Sequence, residues 1–220
     1  MRKGLFGLIL LGLGPASGPA LAADAPPGAP DPAADAQARA KAMAAMCAQV
    51  ACRKASRTIT LHLADGGSYT LHTSPYPYLD PAGNVVLYPG ETITLGFSKT
   101  GDELGKPVLV AVRDADGAVD IGAAEPAPAM TLSFSLAQDV KKPDTTLIAA
   151  STVGAMLKYD ARVSMVVQGG VRLVNSNTCP LMPPQGNAPS FSGFENWPQA
   201  IGMMVISNIR ALPPGTPVRC

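Results

Sequence analysis

Apolar and polar residues alternate most regularly over Met156–Val174. The odd positions up to Val167 are apolar, and the even positions are polar except for Val166. A period of two is typical of a strand with one buried and one solvent-exposed face. The pattern resumes after Gln168–Gly170, so the stretch predicts a hairpin with a three-residue loop in which Val167 faces Val171. We expect this hairpin to be the centre of a β-sheet domain.

Other segments of the chain also have the length, alternation and flanking turn residues of short strands. They include Thr58–Thr73, which is a hairpin around Asp65-Gly66-Gly67, and Val85–Tyr88, Thr92–Phe97, Pro107–Asp114, Met130–Leu136, Thr145–Val153 and Ile201–Leu212. About ten short strands separated by turns predict an all-β fold. We expect a β-sandwich of the Ig-like or jelly-roll-like type, with a closed barrel as the alternative.

The N-terminus has the three parts of a secretory signal peptide. Arg2-Lys3 precedes the apolar run Gly4–Leu13, and Ala20-Leu21-Ala22 provides small residues for cleavage. We therefore divide the chain into a signal peptide (1–22), a disordered Pro/Ala-rich linker (23–34) and a single β-sandwich domain with an N-terminal helix (35–220). No second long apolar stretch follows, so we expect a periplasmic or secreted protein without a transmembrane segment after cleavage.

One short helix is predicted ahead of the strands. Asp31-Pro32 is a favourable start, because aspartate caps helices and proline suits the first helical position. Apolar residues then recur at helical spacing, at Met43, Met46, Cys47 and Val50. If Cys47 pairs with Cys52, the helix has to unwind near residues 48–51, because a continuous helix would hold the two cysteines apart.

Four cysteines in an exported chain indicate two disulfides. Of the three possible connectivities, we expect Cys47–Cys52 and Cys179–Cys220, because sequence neighbours meet easily and the second bond ties down a chain end. A zinc site of four thiolates is the alternative, but the spacings lack the paired C-x-x-C motifs of such sites.

The charge balance argues against nucleic-acid binding. The 220 residues carry a formal charge of +1, and lysine and arginine form no run. Proteins that bind nucleic acids through their surface charge need a basic patch or stripe. No nucleic-acid partner is therefore predicted.

The two histidines are the candidate metal ligands. His62 and His72 lie on the outer face of the Thr58–Thr73 hairpin. They are directly opposite if the loop is centred on Gly67 and diagonal if it is centred on Gly66. Two imidazoles at that spacing can bind Cu²⁺, Ni²⁺ or Zn²⁺, whereas the simpler interpretation is a pair of exposed histidines.

Catalytic motifs are missing from the sequence. It has no G-x-S-x-G elbow, H-E-x-x-H, phosphate loop or dinucleotide fingerprint, and no cofactor is predicted. Paired carboxylates for glycoside hydrolysis stay open as an alternative. The candidates are Asp80, Glu91, Asp102, Glu103 and Glu195.

Aromatic residues near prolines are the candidate binding residues. Tyr76, Tyr78 and Tyr88 can form an exposed ledge for a sugar or peptide, or can brace an edge loop. Trp197 is a further candidate, although it can also pin the loop Cys179–Ser192 to the core. Exposure of Val85–Tyr88 at a sheet edge would favour partner binding by strand addition.

These observations favour an exported, non-enzymatic binding or structural module of the cell envelope. Its partner would be another envelope protein or a glycan. The alternatives are a metal-binding protein that uses His62 and His72, and a hydrolase with an unrecognised carboxylate pair.

Overall fold

The computed structural model describes residues 32–100, 103–122, 128–167, 170–184 and 190–220. The predicted signal peptide and most of the predicted linker lie outside the described residues. The chain divides into two units, Met1–Ala38 and Arg39–Cys220. The described residues of the first unit are helical, and the second unit holds the rest of that helix and every described strand.

The described residues form one helix and fourteen strands, so the structure is mostly β, as predicted. The bounds are α1 Pro32–Cys47, β1 Thr58–His62, β2 Ser68–His72, β3 Val85–Leu87, β4 Glu91–Phe97, β5 Lys99–Thr100, β6 Glu103–Leu104, β7 Val108–Asp114, β8 Gly117–Val119, β9 Met130–Gln138, β10 Thr145–Ser151, β11 Leu157–Val167, β12 Gly170–Ser176, β13 Ser190–Trp197 and β14 Ile201–Ala211.

Ten of these strands form two antiparallel sheets. The larger sheet has the order β13-β10-β9-β4-β7-β8, and the smaller sheet has the order β12-β11-β14-β3. β1 pairs with β2, and β5 pairs with β6, as two separate hairpins. This arrangement is a sandwich-like fold of the predicted class.

The main core lies between the two sheets. Phe134 of β9 meets Tyr159 of β11 edge to face, with ring centroids 5.3 Å apart. Alternate residues of both sheets surround this contact and are almost fully buried: Ile93, Leu95, Leu132, Leu136, Leu147, Leu157, Val163, Ile201, Met204 and Ile206. The period-two pattern therefore identifies the core face of β4, β9, β10 and β11.

Helix α1 ends at the first disulfide. Cys47 is its last residue and pairs with Cys52, so the helix stops where that pairing requires. The second disulfide joins Cys179 to Cys220, and both predicted pairings are confirmed. Among the described residues, no helix is long and apolar enough to cross a membrane.

The register of the β11–β12 hairpin differs from the prediction by one residue. Val171 pairs with Val166, and Val167 pairs with Gly170, so only residues 168–169, outside the described part of the chain, connect the strands. A shift of one residue moves a strand's side chains to the other face. Val171 and Leu173 consequently lie on the outer face of the smaller sheet, where they are 47% and 60% exposed.

The β1–β2 hairpin explains why Val166 breaks the alternation of β11. Val166 faces outward from the smaller sheet and is buried in a second cluster with Leu61 and Ala200. The side-chain amide of Gln138 fastens the same hairpin, because its Oε1 accepts from the backbone N–H of His62 at 2.9 Å and its Nε2 donates to the His62 carbonyl at 3.0 Å. The hairpin therefore covers part of the outer face.

Candidate functional site

A polar groove of about 600 Å³ lies on the smaller sheet, where β11, β12 and β14 run side by side. Concave surfaces with several convergent polar groups are the usual ligand sites of proteins, so this groove is the candidate site. Charged, amide and hydroxyl side chains dominate its lining: Asn84, Lys158, Asp160, Arg162, Asn175, Ser176, Asn177, Thr178 and Ser207.

Strand β11 supplies the charges of the groove. Lys158, Asp160 and Arg162 occupy alternate positions and therefore share one face. Asp160 accepts hydrogen bonds from Asn208 Nδ2 at 2.8 Å and from Arg210 Nη1 at 3.3 Å. The hydrogen bond from Asn208 is the main cause that lowers the pKa of the Asp160 carboxyl group. Asp160 is thus an anion already neutralised by its own partners.

A β-bulge in β14 positions these partners. Lys158 pairs with Arg210, but Asp160 pairs with Ser207, so β14 holds one extra residue at this point. Asn208 lies in the bulge with φ of 51°, the one positive φ of a non-glycine residue among the described residues. Asparagine tolerates this left-handed conformation better than most residues. The bulge directs its amide to Asp160.

The groove keeps an excess of positive charge. Arg162 lies opposite Asn175 of β12, and among the described residues its guanidinium group has no hydrogen bond or ion pair. Lys158 donates one hydrogen bond from its ammonium group to the carbonyl of Thr178, which leaves two donors. Because Arg210 balances Asp160, the two remaining cations can contact an anionic or polar ligand.

A partly buried hydrogen bond between the sheets supports the groove from below. The Tyr159 hydroxyl donates to Glu195 Oε1 at 2.8 Å, and the backbone N–H of Cys179 donates to the same oxygen at 3.1 Å. Burial raises the pKa of both Tyr159 and Glu195. The hydroxyl of Thr178 donates to the Tyr159 carbonyl at 2.6 Å. The segment that carries the second disulfide is thereby fixed beside the groove.

A second polar arrangement, which the sequence did not reveal, surrounds Arg53. Its five guanidinium N–H groups all have acceptors: Nε and Nη2 donate to the two oxygens of Glu91, Nη1 to the carbonyls of Tyr76 and Pro77, and Nη2 also to the carbonyl of Val86. The Arg53 and Glu91 side chains are each only 2% exposed. This cluster has no donor left for a ligand and is structural.

The same cluster contains two of the candidate binding tyrosines. The Arg53 guanidinium lies between the rings of Tyr78 and Tyr88, 4.4 and 4.6 Å from their centroids. Both tyrosines are buried, so they form no exposed ledge, and burial raises the pKa of both. Tyr76 and Trp197 are half-buried, the latter at the end of β13. A binding role of these residues stays a prediction.

The structure separates the two histidines. His62 pairs with Ser68 and His72 with Thr58, so the hairpin turns around Asp65 and not around Gly66 or Gly67. Four residues of strand, about 13 Å, divide the two positions, which is too far for both imidazoles to bind one ion. The predicted close pairing is therefore wrong. No group of three or more His, Cys, Asp or Glu side chains suited to a metal ion occurs among the described residues.

The candidate catalytic carboxylates have other partners or lie elsewhere. Asp80 accepts a hydrogen bond from the side-chain amide of Asn84. Glu91 accepts from the guanidinium group of Arg53, and Glu195 accepts from the hydroxyl of Tyr159. Asp102 lies outside the described residues, and Glu103 is exposed on the short strand β6. The hydrolase alternative stays a prediction without a geometric argument in its favour.

Comparisons with protein-family models, with curated proteins and with solved structures gave no match to this chain. Its function therefore has to be inferred from its own residues.

Proposed function

We propose that the protein is an exported, non-enzymatic binding module of the cell envelope, periplasmic or secreted, and that the polar groove is its binding surface. The observation that carries this proposal is the pair of cations on β11. Lys158 and Arg162 face a concave surface rich in amides and hydroxyls, and the nearby acid Asp160 is already bound by Asn208 and Arg210. Such a surface suits hydrogen bonding to an envelope protein or a glycan.

The two disulfides are compatible with an exported location, because such bonds persist in oxidising compartments. The signal peptide (1–22) and the linker (23–34) belong to the same proposal. So does the finer fold assignment, an Ig-like or jelly-roll-like sandwich. Its support is the antiparallel pairing within both sheets.

The test is binding of the purified protein to isolated cell envelopes, measured as the fraction that sediments with them. We expect Arg162→Ala and Lys158→Ala each to weaken binding at least about tenfold, because hydrogen bonds to charged groups contribute roughly 1.5–3 kcal/mol. The matched control is Arg113→Ala, an exposed arginine on β7 of the other sheet, which should bind like the wild type. Equal binding by all four proteins would overturn the assignment of the groove.

A further inference from the structure

Among the edge strands of the two large sheets, β12 is long and has no hydrogen-bonded neighbour on its outer side in the described part of the chain. On the outer side of β3, the N–H of Val86 donates to the carbonyl of Tyr78, and the carbonyl of Val86 accepts from Arg53 Nη2. Ser192 of β13 accepts from the N–H of Met182. β8 has only three residues. In contrast, no described segment bonds to the outer edge of the seven-residue strand β12.

Natural proteins normally protect such an edge, because its free N–H and C=O groups can accept another strand. β12 has little of the usual protection among its described residues: it contains no proline, and Arg172 is its one charged side chain. Val85–Tyr88 was expected to favour strand addition only if it formed an exposed sheet edge, and the other segments that bond to β3 close that edge. The open edge is therefore β12.

The exposed apolar side chains lie on this same strand. Val171 and Leu173 point to the outer face, next to Val166 and Ser164 of β11. The β1–β2 hairpin buries Val166 but leaves Val171 and Leu173 exposed. An added strand would place its own side chains about 5 Å from them and cover them.

The charges around β12 indicate which partner fits. Arg172 on β12 and Arg162 opposite Asn175 are exposed and have no ion pair among the described residues. The only acid on β11, Asp160, is already bonded. A second copy of β12 would bring another arginine and no acid, so it leaves these cations unmatched. An acidic segment of another protein matches them.

We propose that β12 binds an extended segment of a partner protein as an added antiparallel strand. The segment carries apolar side chains opposite Val171 and Leu173 and carboxylates within reach of Arg172 and Arg162. Arg162 lies two strand spacings from the added strand, about 10 Å, which an arginine and a glutamate side chain together span. This inference rests on the proposed function and names the class of partner.

The probe is a labelled peptide, Thr-Glu-Val-Ile-Glu-Val-Thr, designed to lie antiparallel to Gly170–Ser176. Its glutamates fall opposite Asn175 and Arg172, and its binding is followed by fluorescence anisotropy. The control peptide has lysine in place of both glutamates. We expect the glutamate peptide to bind at least about tenfold more tightly, because opposite charges on paired strands attract and like charges repel. Binding should also slow amide hydrogen exchange in β12.

Two variants test the edge directly. Leu173→Pro should weaken binding at least about tenfold, because proline disrupts strand pairing. Arg172→Glu leaves the backbone intact and should remove most of the preference for the glutamate peptide, because only the glutamate opposite Asn175 then still meets an arginine, Arg162. This second variant decides the question even if Leu173→Pro fails to fold. Arg113→Ala is the control for a general loss of positive charge.

Several results would overturn the inference. They are no saturable binding at millimolar peptide, equal binding of the two peptides, or slowed exchange at another edge. Self-association in sedimentation that Leu173→Pro abolishes would identify a second copy as the occupant instead. If both edge variants keep wild-type envelope binding while Lys158→Ala loses it, the strand-addition inference fails and the proposed groove function stands.

Discussion

Arg53 and Glu91 form a two-armed ion pair in the interior, with Nε–Oε1 and Nη2–Oε2 distances of 2.8 and 2.5 Å. Arg53 directly follows Cys52, which belongs to the first disulfide. Glu91 Oε2 also accepts from the N–H of Tyr88 at 2.8 Å. The pair thereby joins the segment after α1 to the beginning of β4.

We expect Arg53→Met to lower the free energy of unfolding by roughly 3–5 kcal/mol, because it leaves Glu91 buried without a counter-charge. The double variant with Glu91→Leu should recover part of this loss, since it removes both charges. Urea unfolding of the single and the double variant measures both changes in the free energy of unfolding. The control is Arg57→Ala, whose ion pair with Asp114 is partly exposed and should contribute about 0–1 kcal/mol. Equal losses for the Arg53 and Arg57 variants would contradict the prediction.

The two disulfides should contribute unequally to stability. Chain entropy predicts about 4 kcal/mol for Cys179–Cys220, whose separation is 41 residues, and about 2 kcal/mol for Cys47–Cys52, whose separation is five. Serine replacement of each pair, followed by urea unfolding, tests the difference. A larger loss on removal of the shorter disulfide would show that its placement of Arg53 outweighs its loop entropy.

Stability should also depend on pH through Glu195. Burial raises the pKa of its carboxyl group above the ordinary value of 4.5. The folded state therefore binds this proton more tightly than the unfolded chain. The resulting stabilisation is complete below the unfolded pKa and is lost as pH rises through the folded pKa.

We therefore expect the contribution of Glu195 to the free energy of unfolding to decrease as pH rises above 4.5, and Glu195→Gln to lack this contribution. Urea unfolding of the wild type and of Glu195→Gln at several pH values measures this contribution. Asp160→Asn is the comparison, because the pKa of Asp160 is lowered and its contribution has the opposite sign. An unchanged pH profile in Glu195→Gln would contradict the expectation.

Gly96 of β4 has no room for a side chain. A Cβ atom there would lie 2.2 Å from Pro128 Cγ and 2.8 Å from Val110 Cγ2. We expect Gly96→Ala to cost about 1–3 kcal/mol, as overpacking does. Gly154→Ala is the matched control, since nothing lies within 4 Å of its added carbon. Thermal unfolding of both variants tests the contrast, and equal midpoints would contradict it.

Local alternation predicted most of the strands because burial of one face repeats every two residues. β9 and β11 follow this rule closely. β13 was missed, because the preceding residues are rich in proline, glycine and asparagine, and Phe194 on this strand is 64% exposed. The pattern of apolar residues alone did not fix the loop lengths, so the registers around Gly66 and Gly169 were each predicted incorrectly.

The candidate site was predictable only in part. The polar positions Lys158, Asp160 and Arg162 were evident as the exposed face of a strand. Their enclosure in a groove depends on β14 and on the bulge at Asn208, which lie about fifty residues further along the chain. The pairing of Arg53 with Glu91 likewise joins positions 38 residues apart, and a single sequence holds no information on such pairs.

The β1–β2 hairpin has a consequence for the dynamics of the protein. Among the described strands, β1 and β2 pair only with each other, and Gln138 and the cluster around Val166 attach them to the sandwich. The hairpin can therefore detach without breaking a ladder of either large sheet. Native-state hydrogen exchange in Thr58–His72 should then proceed through a local opening with a lower free energy than global unfolding.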